Sequence, residues 1–403
     1  MLQKYLIKIF IGFSYGCSFP LTMTILDYWL KDLGFSPTTI GLFAFVHWPF
    51  ALKFFWGAFI DNVDIPILSK NFSRRKSWLI FSYILLICGI LIVSATASES
   101  PVFLLIFGAS LIALADGCKN VVMYPYQLND SNEKIFGFIA SNVNLGHRIG
   151  AIFTKVAMLH IAHFFNWHLA YIFAAIISAI VLILLLNVKE PKISETYSGQ
   201  KRKILISLFN AWSKFINQEN SLRFLAVICL YKSADFMIQK MSRVFFLEIG
   251  FLKSDIANIV MCFGSITVIL GGFLGGALIK KFKIQKSMSL AVLCHYCVFP
   301  LYLLLLKNGA SKEILTMLVA CEALTGGFIT TAFISFFYKI TADGTTFALL
   351  WAIHEFSGMI FSSISGIFVS NFGWNVFFAI VPFLVIPNLI LLSRLFQNTN
   401  QQS

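Results

Sequence analysis

Long apolar runs follow one another along almost the whole chain, each near the length that crosses a bilayer as a helix. A hydrocarbon core about 30 Å thick needs roughly 20 such residues, and scanning for them gives about 12 candidate spans. They begin near Leu6, Ile40, Trp78, Val102, Phe136, Leu169, Leu222, Asp255, Met288, Ile314, Phe347 and Asn375. Of the 403 residues, 58% are hydrophobic and 12% charged, too little polar surface to cover a soluble core. The expectation is an all-α integral membrane protein, with no room for a soluble catalytic domain and hence no enzyme. Lys4 and Lys8 precede an apolar run that is as long as a span and lacks a small-residue cleavage site, so it reads as a retained first helix.

The net charge of +13 would suit a nucleic-acid binder, but its distribution argues otherwise. About 20 of the 31 Lys and Arg fall in alternate loops and at the termini, and about four in the opposite loops, as the positive-inside rule requires. Both termini are then expected in the cytoplasm, with 70–76 ("KNFSRRK"), 189–214 and 280–286 ("KKFKIQK"). The polar stretch "VKEPKISETYSGQKRK" separates two groups of six spans: residues 1–187, a central loop over 188–221, and residues 222–403. Each half carries a basic loop between its second and third spans, weak internal symmetry of the kind found in transporters built from repeated halves.

Charges inside spans are costly, at least about 2.5 kcal/mol near the bilayer centre, so they face a cavity or a partner. Lys53, Lys119, Arg148, Lys155, Lys232, Lys240 and Arg243 lie in or at the ends of spans, against Asp116, Asp235, Glu322 and Glu355. They fall in the second, fourth, fifth, seventh, tenth and eleventh spans, whereas the third, sixth, ninth and twelfth have none in their interiors. Every third helix outside, in two halves of six, is the arrangement of the major facilitator superfamily. At about 100° per residue, Lys232, Asp235, Gln239 and Arg243 share an arc of about 80°, with Lys240 off one edge towards the periphery. Ser141, Asn144, Arg148 and Lys155 share about 60°, and Asp116, Lys119, Asn120, Met123 and Gln127 about 100°. The pairs Lys119 with Asp116 and Lys232 with Asp235 read equally well as buried structural ion pairs. The basic excess would leave the surroundings attractive to an anion.

Other features carry less. Cys294 and Cys297 in "CHYC" lack the context of a redox or metal motif and read as apolar filler. His160, His163 and His168 in "HIAHFFNWH" have no acidic ligand nearby, and no metal site is expected. His354 and Glu355 are adjacent, so they diverge around a helix and make a poor acid–base pair.

Specific strings extend this reading. "GFSYGCSFPL" (Gly12 to Leu21), "YWLKDLG" (Tyr28 to Gly34), "TIGLF" (Thr39 to Phe43), "ALKFFWGAFID" (Ala51 to Asp61) and "RRKSWL" (Arg74 to Leu79) resemble the AmpG family of muropeptide permeases. So do "GHRIG" (Gly146 to Gly150), similar to that family's GYRLG, "LYKSAD" (Leu230 to Asp235), similar to LYKLGD, and "TTFALL" (Thr345 to Leu350), similar to TQYALL. Glu322, followed by "TGG" and "TAF", matches the glutamate opening the tenth helix. The resemblance covers the whole chain. It departs at Asn120, where the fourth helix of the family has the second aspartate of DIxxDA, and at Asp27, where the family has Gln.

The resemblance implies proton-driven import of N-acetylglucosaminyl-anhydro-N-acetylmuramyl peptides across a bacterial inner membrane by a monomer, with the proton gradient as energy source and no cofactor. Arg148, Lys232, Gln239, Lys119 and Asn144 are then the expected contacts to a small anionic glycopeptide, with Trp29, Trp48, Trp56 and Tyr15 available to stack on its sugars. Asp235, Asp116 and Glu322 are the expected proton carriers. Asp61, Arg74 and Arg75 resemble the superfamily's cytoplasmic gating motif. The competing readings are a transporter of another anion, such as a phosphorylated metabolite or a coenzyme A thioester, and a muropeptide sensor that moves nothing.

Overall fold

The computed structural model describes residues 2–96, 102–128, 133–188, 204–341 and 344–397, and among them every regular element is a helix. Helix α1 (Leu2–Ser18) stops before Pro20, which has no N–H to continue the ladder, and a π-helical stretch (Leu21–Ile25) leads into α2 (Leu26–Asp32). The second expected span is traced in pieces: α3 (Pro37–Leu42), a 3₁₀ turn (Phe43–His47), α4 (Trp48–Ala51) and α5 (Lys53–Asn62). Then come α6 (Arg74–Ala95), α7 (Val102–Leu128), α8 (Glu133–Phe164) and α9 (Trp167–Leu186). Helix α10 (Ile204–Ile216) occupies part of the expected central loop.

The seventh span is divided into α11 (Ser221–Leu230) and α12 (Ser233–Glu248), and the eighth begins with α13 (Lys253–Asp255) and a π-helical stretch (Ile256–Phe263). After these come α14 (Gly264–Tyr296), α15 (Leu301–Asn308), α16 (Lys312–Ile340), α17 (Gly344–Ile380), a 3₁₀ turn (Val381–Leu384) and α18 (Val385–Gln397). Side chains of Ser36, Ser73, Asn166 and Ser311 accept the amide N–H three residues on, which satisfies donors that a helix start leaves orphaned.

Two of the long helices are pairs. Ser287 Oγ reaches the Leu278 carbonyl at 3.2 Å, whereas nine residues of straight helix would separate them by roughly 13 Å. The backbone of α14 therefore doubles back across the basic stretch. Helix α17 is interrupted at Gly373, whose φ of 75° suits glycine alone at no steric cost.

Among the described residues, eight helices are long and apolar enough to cross a membrane. The last of them, Thr346–Leu395, covers both the eleventh and twelfth expected spans. The second, fifth and seventh expected spans do not qualify, for reasons visible in the chain: two are broken into shorter helices, and α8 carries Asn142, Asn144, His147, Arg148 and Lys155. On α9, Leu169, Ile172, Ile176, Ile180, Ile183 and Leu184 are exposed, the surface a lipid-facing helix needs.

The chain forms two compact units, one of Met1–Gly34 with Val46–Arg202 and one of Phe35–Phe45 with Lys203–Ser403. Residues 35–45 thus pack in the second unit, although sequence order groups them with the first. Thr38 N–H donates to Ser370 Oγ at 3.2 Å, and Ser363 Oγ donates to the Gly41 carbonyl at 3.1 Å.

In the first unit α1 and α8 touch backbone to backbone. A Cβ added to Gly146 would fall inside the Ile9 carbonyl, and one added to Gly12 inside that of Val143. Gly12 with Gly16 and Gly146 with Gly150 stand four apart, the small-residue spacing that lets helices approach closely in lipid. The "GHRIG" string is thus partly a packing motif. The second unit repeats the device between α14 and α16, where a Cβ on Gly327 would meet the Val268 carbonyl. We expect Gly146→Leu to force α1 and α8 apart at a cost of about 1–3 kcal/mol or more, read as a lower midpoint of thermal unfolding in detergent. Gly276→Ala, with open space around the glycine, should leave that midpoint unmoved.

Candidate functional site

The seventh span breaks where its charges begin. Lys232 has φ −108° and ψ 16°, outside the helical range, and separates α11 from α12. The break leaves backbone groups to be satisfied inside the membrane, and side chains from other helices of the second unit do so. Tyr296 donates its hydroxyl to the Tyr231 carbonyl at 2.9 Å and accepts from Ala234 N–H at 3.3 Å, bridging the gap. His354 Nδ1 donates to the Ile228 carbonyl at 3.0 Å, and Ser357 Oγ to that of Cys229 at 2.6 Å. His354 thus serves the backbone.

Because the helix restarts at Ser233, Asp235 lies in the first turn of α12, where the helix dipole favours negative charge. Its carboxylate is almost fully buried and fully engaged. Oδ2 pairs with Lys232 Nζ at 2.9 Å, and Oδ1 accepts from Gln239 Nε2 at 2.8 Å and lies 3.1 Å from His295 Nε2. Lys232 Nζ also donates to Thr330 Oγ1 at 3.2 Å. An ammonium has three donors, so one N–H has no protein partner among the contacts described, on a side chain 14% exposed. Glu322 on α16 is half-buried and accepts from the Tyr302 hydroxyl at 2.7 Å. Lys240, expected at the periphery, is buried with 7% exposure, because the face of α12 it shares with Met237, Met241 and Val244 is itself packed.

His295 is the residue the sequence reading passed over. It stands inside "CHYC", in the ninth span, which counts as uncharged if only Lys, Arg, Asp and Glu are scored. Its Nδ1 lies 2.9 Å from Thr325 Oγ1, and its ring packs edge-on against Phe299 at 5.0 Å. A histidine at mid-span in a chain with so few titratable groups was the available signal.

The first unit holds a separate buried cluster. Asp116 Oδ1 accepts from Ser18 Oγ at 2.5 Å and pairs with Lys119 Nζ at 3.0 Å, while Lys119 also bonds Ser18 Oγ and the Ser14 carbonyl. Lys119 is 1% exposed, which matches the structural ion-pair reading and gives a solute no access to its ammonium in this structure. Asp116 Oδ2 is buried without a hydrogen-bond partner. Asn120 donates to the Tyr15 hydroxyl. Asn144 and Arg148 are exposed on α8, about half a turn from its glycine face. Trp29 is core, stacked on Trp167 at 6.1 Å and against Tyr171 at 4.8 Å, so it is no sugar platform here. The side chains of Asp61, Gln127 and Ser141 lie outside the described residues.

Of the residues expected to gate, Arg74 pairs with Asp64: Nε donates to Oδ1 at 2.6 Å and Nη2 to Oδ2 at 3.4 Å, on an exposed surface. The hydrogen bond from the guanidinium holds the Asp64 carboxyl below the usual carboxylate range. Lys76 Nζ donates to the Leu186 carbonyl at 3.3 Å, a cation at the C-terminal end of α9. Arg75 is half-buried.

The family model of the Major Facilitator Superfamily matches residues 9–349. The chain belongs to this superfamily. It is similar to "Putative transporter AmpG 1" of Rickettsia prowazekii, 27% identical with 97% of each chain covered, and to a protein of Rickettsia bellii named likewise as AmpG 2, 29% identical with 98% of this chain and 97% of the relative covered. Among solved structures it resembles the nucleoside transporter NupG, with a TM-score of 0.73, 16% identity and 98% of each chain covered. It also resembles a POT family transporter in complex with 5-aminolevulinic acid, with a TM-score of 0.70, 14% identity and 99% and 95% of the two chains covered. Those likenesses show the superfamily fold. The chain is a multi-pass membrane transporter of the superfamily type.

Two outcomes follow from the geometry. Asp235→Asn leaves Lys232 without its carboxylate in a nearly dry site, and removing one partner of a buried pair costs about 3–5 kcal/mol. Thermal unfolding in detergent should show that loss, and the double variant Lys232→Met with Asp235→Leu should recover most of it. Arg74→Ala should return the Asp64 carboxyl to its ordinary range, so its deprotonation moves to higher pH, as followed by carboxylate NMR. The Asp64–Arg74 bond is therefore fully formed at neutral pH and is lost only as pH falls through the depressed value.

Proposed function

We propose that this transporter imports anhydro-muropeptides released from the cell wall, in symport with protons, across a bacterial inner membrane with both termini in the cytoplasm. It works as a monomer by alternating access of its two six-helix halves, with the proton gradient as the only energy source and no cofactor. The observation that carries the reading is Lys232. It is held at a helix break, already tied to Asp235 and Thr330, partly exposed, and left with one N–H for an incoming acceptor. A ligand carboxylate fits that donor. Arg148, exposed on α8, supplies a second, bidentate cation for the same class of ligand. The strings shared with the muropeptide permease family and the AmpG naming of relatives matched over nearly the whole chain support the ligand class. Asp235, Asp116 and Glu322 are carboxyl groups available for proton movement, Gln239 and Asn144 are polar contacts to the ligand, and Asp61 with Arg74 and Arg75 belongs to the gate.

The test is uptake into proteoliposomes of a labelled N-acetylglucosaminyl-anhydro-N-acetylmuramyl peptide under an imposed pH gradient. The expected result is accumulation that collapses when a protonophore is added and falls at least tenfold in Lys232→Met. Uptake of a phosphorylated metabolite or a coenzyme A thioester with none of the muropeptide would assign a different anion. Binding without accumulation would make the protein a sensor.

A further inference from the structure

We infer that His295 is a proton-binding site, and that its proton sets whether Lys232 is free to hold an anion. The argument begins with donors and acceptors. His295 Nε2 faces Asp235 Oδ1 at 3.1 Å, and an ionised carboxylate only accepts, so Nε2 carries a proton. On the other side of the ring, Nδ1 faces Thr325 Oγ1 at 2.9 Å. That hydroxyl has one proton, and carbonyls of its own helix stand within reach of it, Cys321 at 2.7 Å and Glu322 at 3.2 Å. With that proton given to the nearer carbonyl, Thr325 Oγ1 is left as an acceptor and Nδ1 donates as well. A ring that donates from both nitrogens is an imidazolium.

The site can also hold the neutral ring at little structural cost. When Nδ1 gives up its proton, the Thr325 hydroxyl turns from the carbonyl to the bare nitrogen and becomes the donor. The proton thus enters and leaves at Nδ1, while Nε2 keeps its bond to Asp235. Among the described residues, the charged and titratable groups around the ring are Asp235 and Lys232 from the broken seventh helix and Glu322, capped by Tyr302, from α16. Tyr296, Cys294 and Cys297 are its chain neighbours, and Asn388 of α18 reaches the Tyr296 hydroxyl at 3.5 Å.

Asp235 lies between two cations and cannot neutralise both. With His295 protonated, Lys232, Asp235 and His295 sum to one positive charge, and the carboxylate is shared, which loosens its hold on Lys232. The unmatched charge suits one ligand carboxylate. With His295 neutral, Lys232 and Asp235 close into a balanced pair and the attraction for an anion falls. Proton and anion therefore strengthen each other's binding, reciprocally, as a symporter requires. This coupling rests on the transport reading above, whereas the protonation of His295 does not.

The experiment has two arms. The first needs no ligand: ¹⁵N NMR of full-length protein carrying labelled histidine, in lipid nanodiscs, with the His295 signal identified by its loss in His295→Gln. Over a series from about pH 8 down to about pH 5, both ring nitrogens should be protonated at the acid end, and any proton lost as the pH is raised should leave from Nδ1. Thr325→Val should shift the Nδ1 signal and leave Nε2 in place. A ring that stays neutral throughout that range overturns the inference.

The second arm compares gradient-driven accumulation with counterflow of the labelled anhydro-muropeptide. Gln can still donate to Asp235 but takes up no proton, so His295→Gln should lower the ratio of accumulation to counterflow roughly tenfold or more, within the 5- to 150-fold span of typical couplings. An unchanged ratio removes His295 from coupling. If the wild-type protein moves no muropeptide at all, the substrate assignment fails, and the first arm still decides whether His295 binds a proton.

Discussion

A broken helix survives in lipid only if something other than water takes its loose backbone groups, and the interruption at Lys232 is where this demand is most concentrated. Tyr296, His354 and Ser357 meet it from two other long helices of the second unit. Those helices are thereby fixed in register against the seventh. The same break turns Lys232 out of the helical path and starts a fresh helix at Ser233, so that Asp235 arrives in a first turn with its carboxylate aimed at both Lys232 and His295. The local defect organises the site.

The two buried clusters differ in what they leave open. In the first unit, Lys119 is wrapped by Asp116, Ser18 and the Ser14 carbonyl and lies over the Tyr15 and Tyr83 rings at 5.8 Å and 5.3 Å. Its charge is consumed internally, and such a pair mainly fixes how α1 and α7 meet. In the second unit, Lys232 keeps a donor and some exposure, and Asp235 has more partners than one charge can neutralise. Similar residue pairs at the same i, i+3 spacing therefore take different roles, and their surroundings make the difference.

Much of the architecture was legible in the chain. Runs of span length and the charge-poor sixth span gave helices and the exposed apolar face of α9, because hydrophobic thickness and charge cost act on composition alone. The site was legible in part. Lys232, Asp235 and Gln239 were found as a polar arc, and they do meet. Lys240 was placed wrongly because a period of about 100° per residue says which face a side chain lies on and not what packs against that face. His295 was missed because a neutral imidazole escapes a count of formal charges, and because "CHYC" drew attention to its cysteines.

The sequence by itself determined that this chain spans a membrane many times, as a superfamily transporter with internal charges that need partners. Apolar length and the expense of a buried charge are properties of each segment taken alone. Only the tertiary structure decided which partners those charges find: Asp116 for Lys119, Asp235 shared between Lys232 and His295, Asp64 for Arg74. Pairing depends on where distant helices bring their side chains, and here on a break in one helix that a histidine, a serine and a tyrosine from elsewhere in the chain must satisfy.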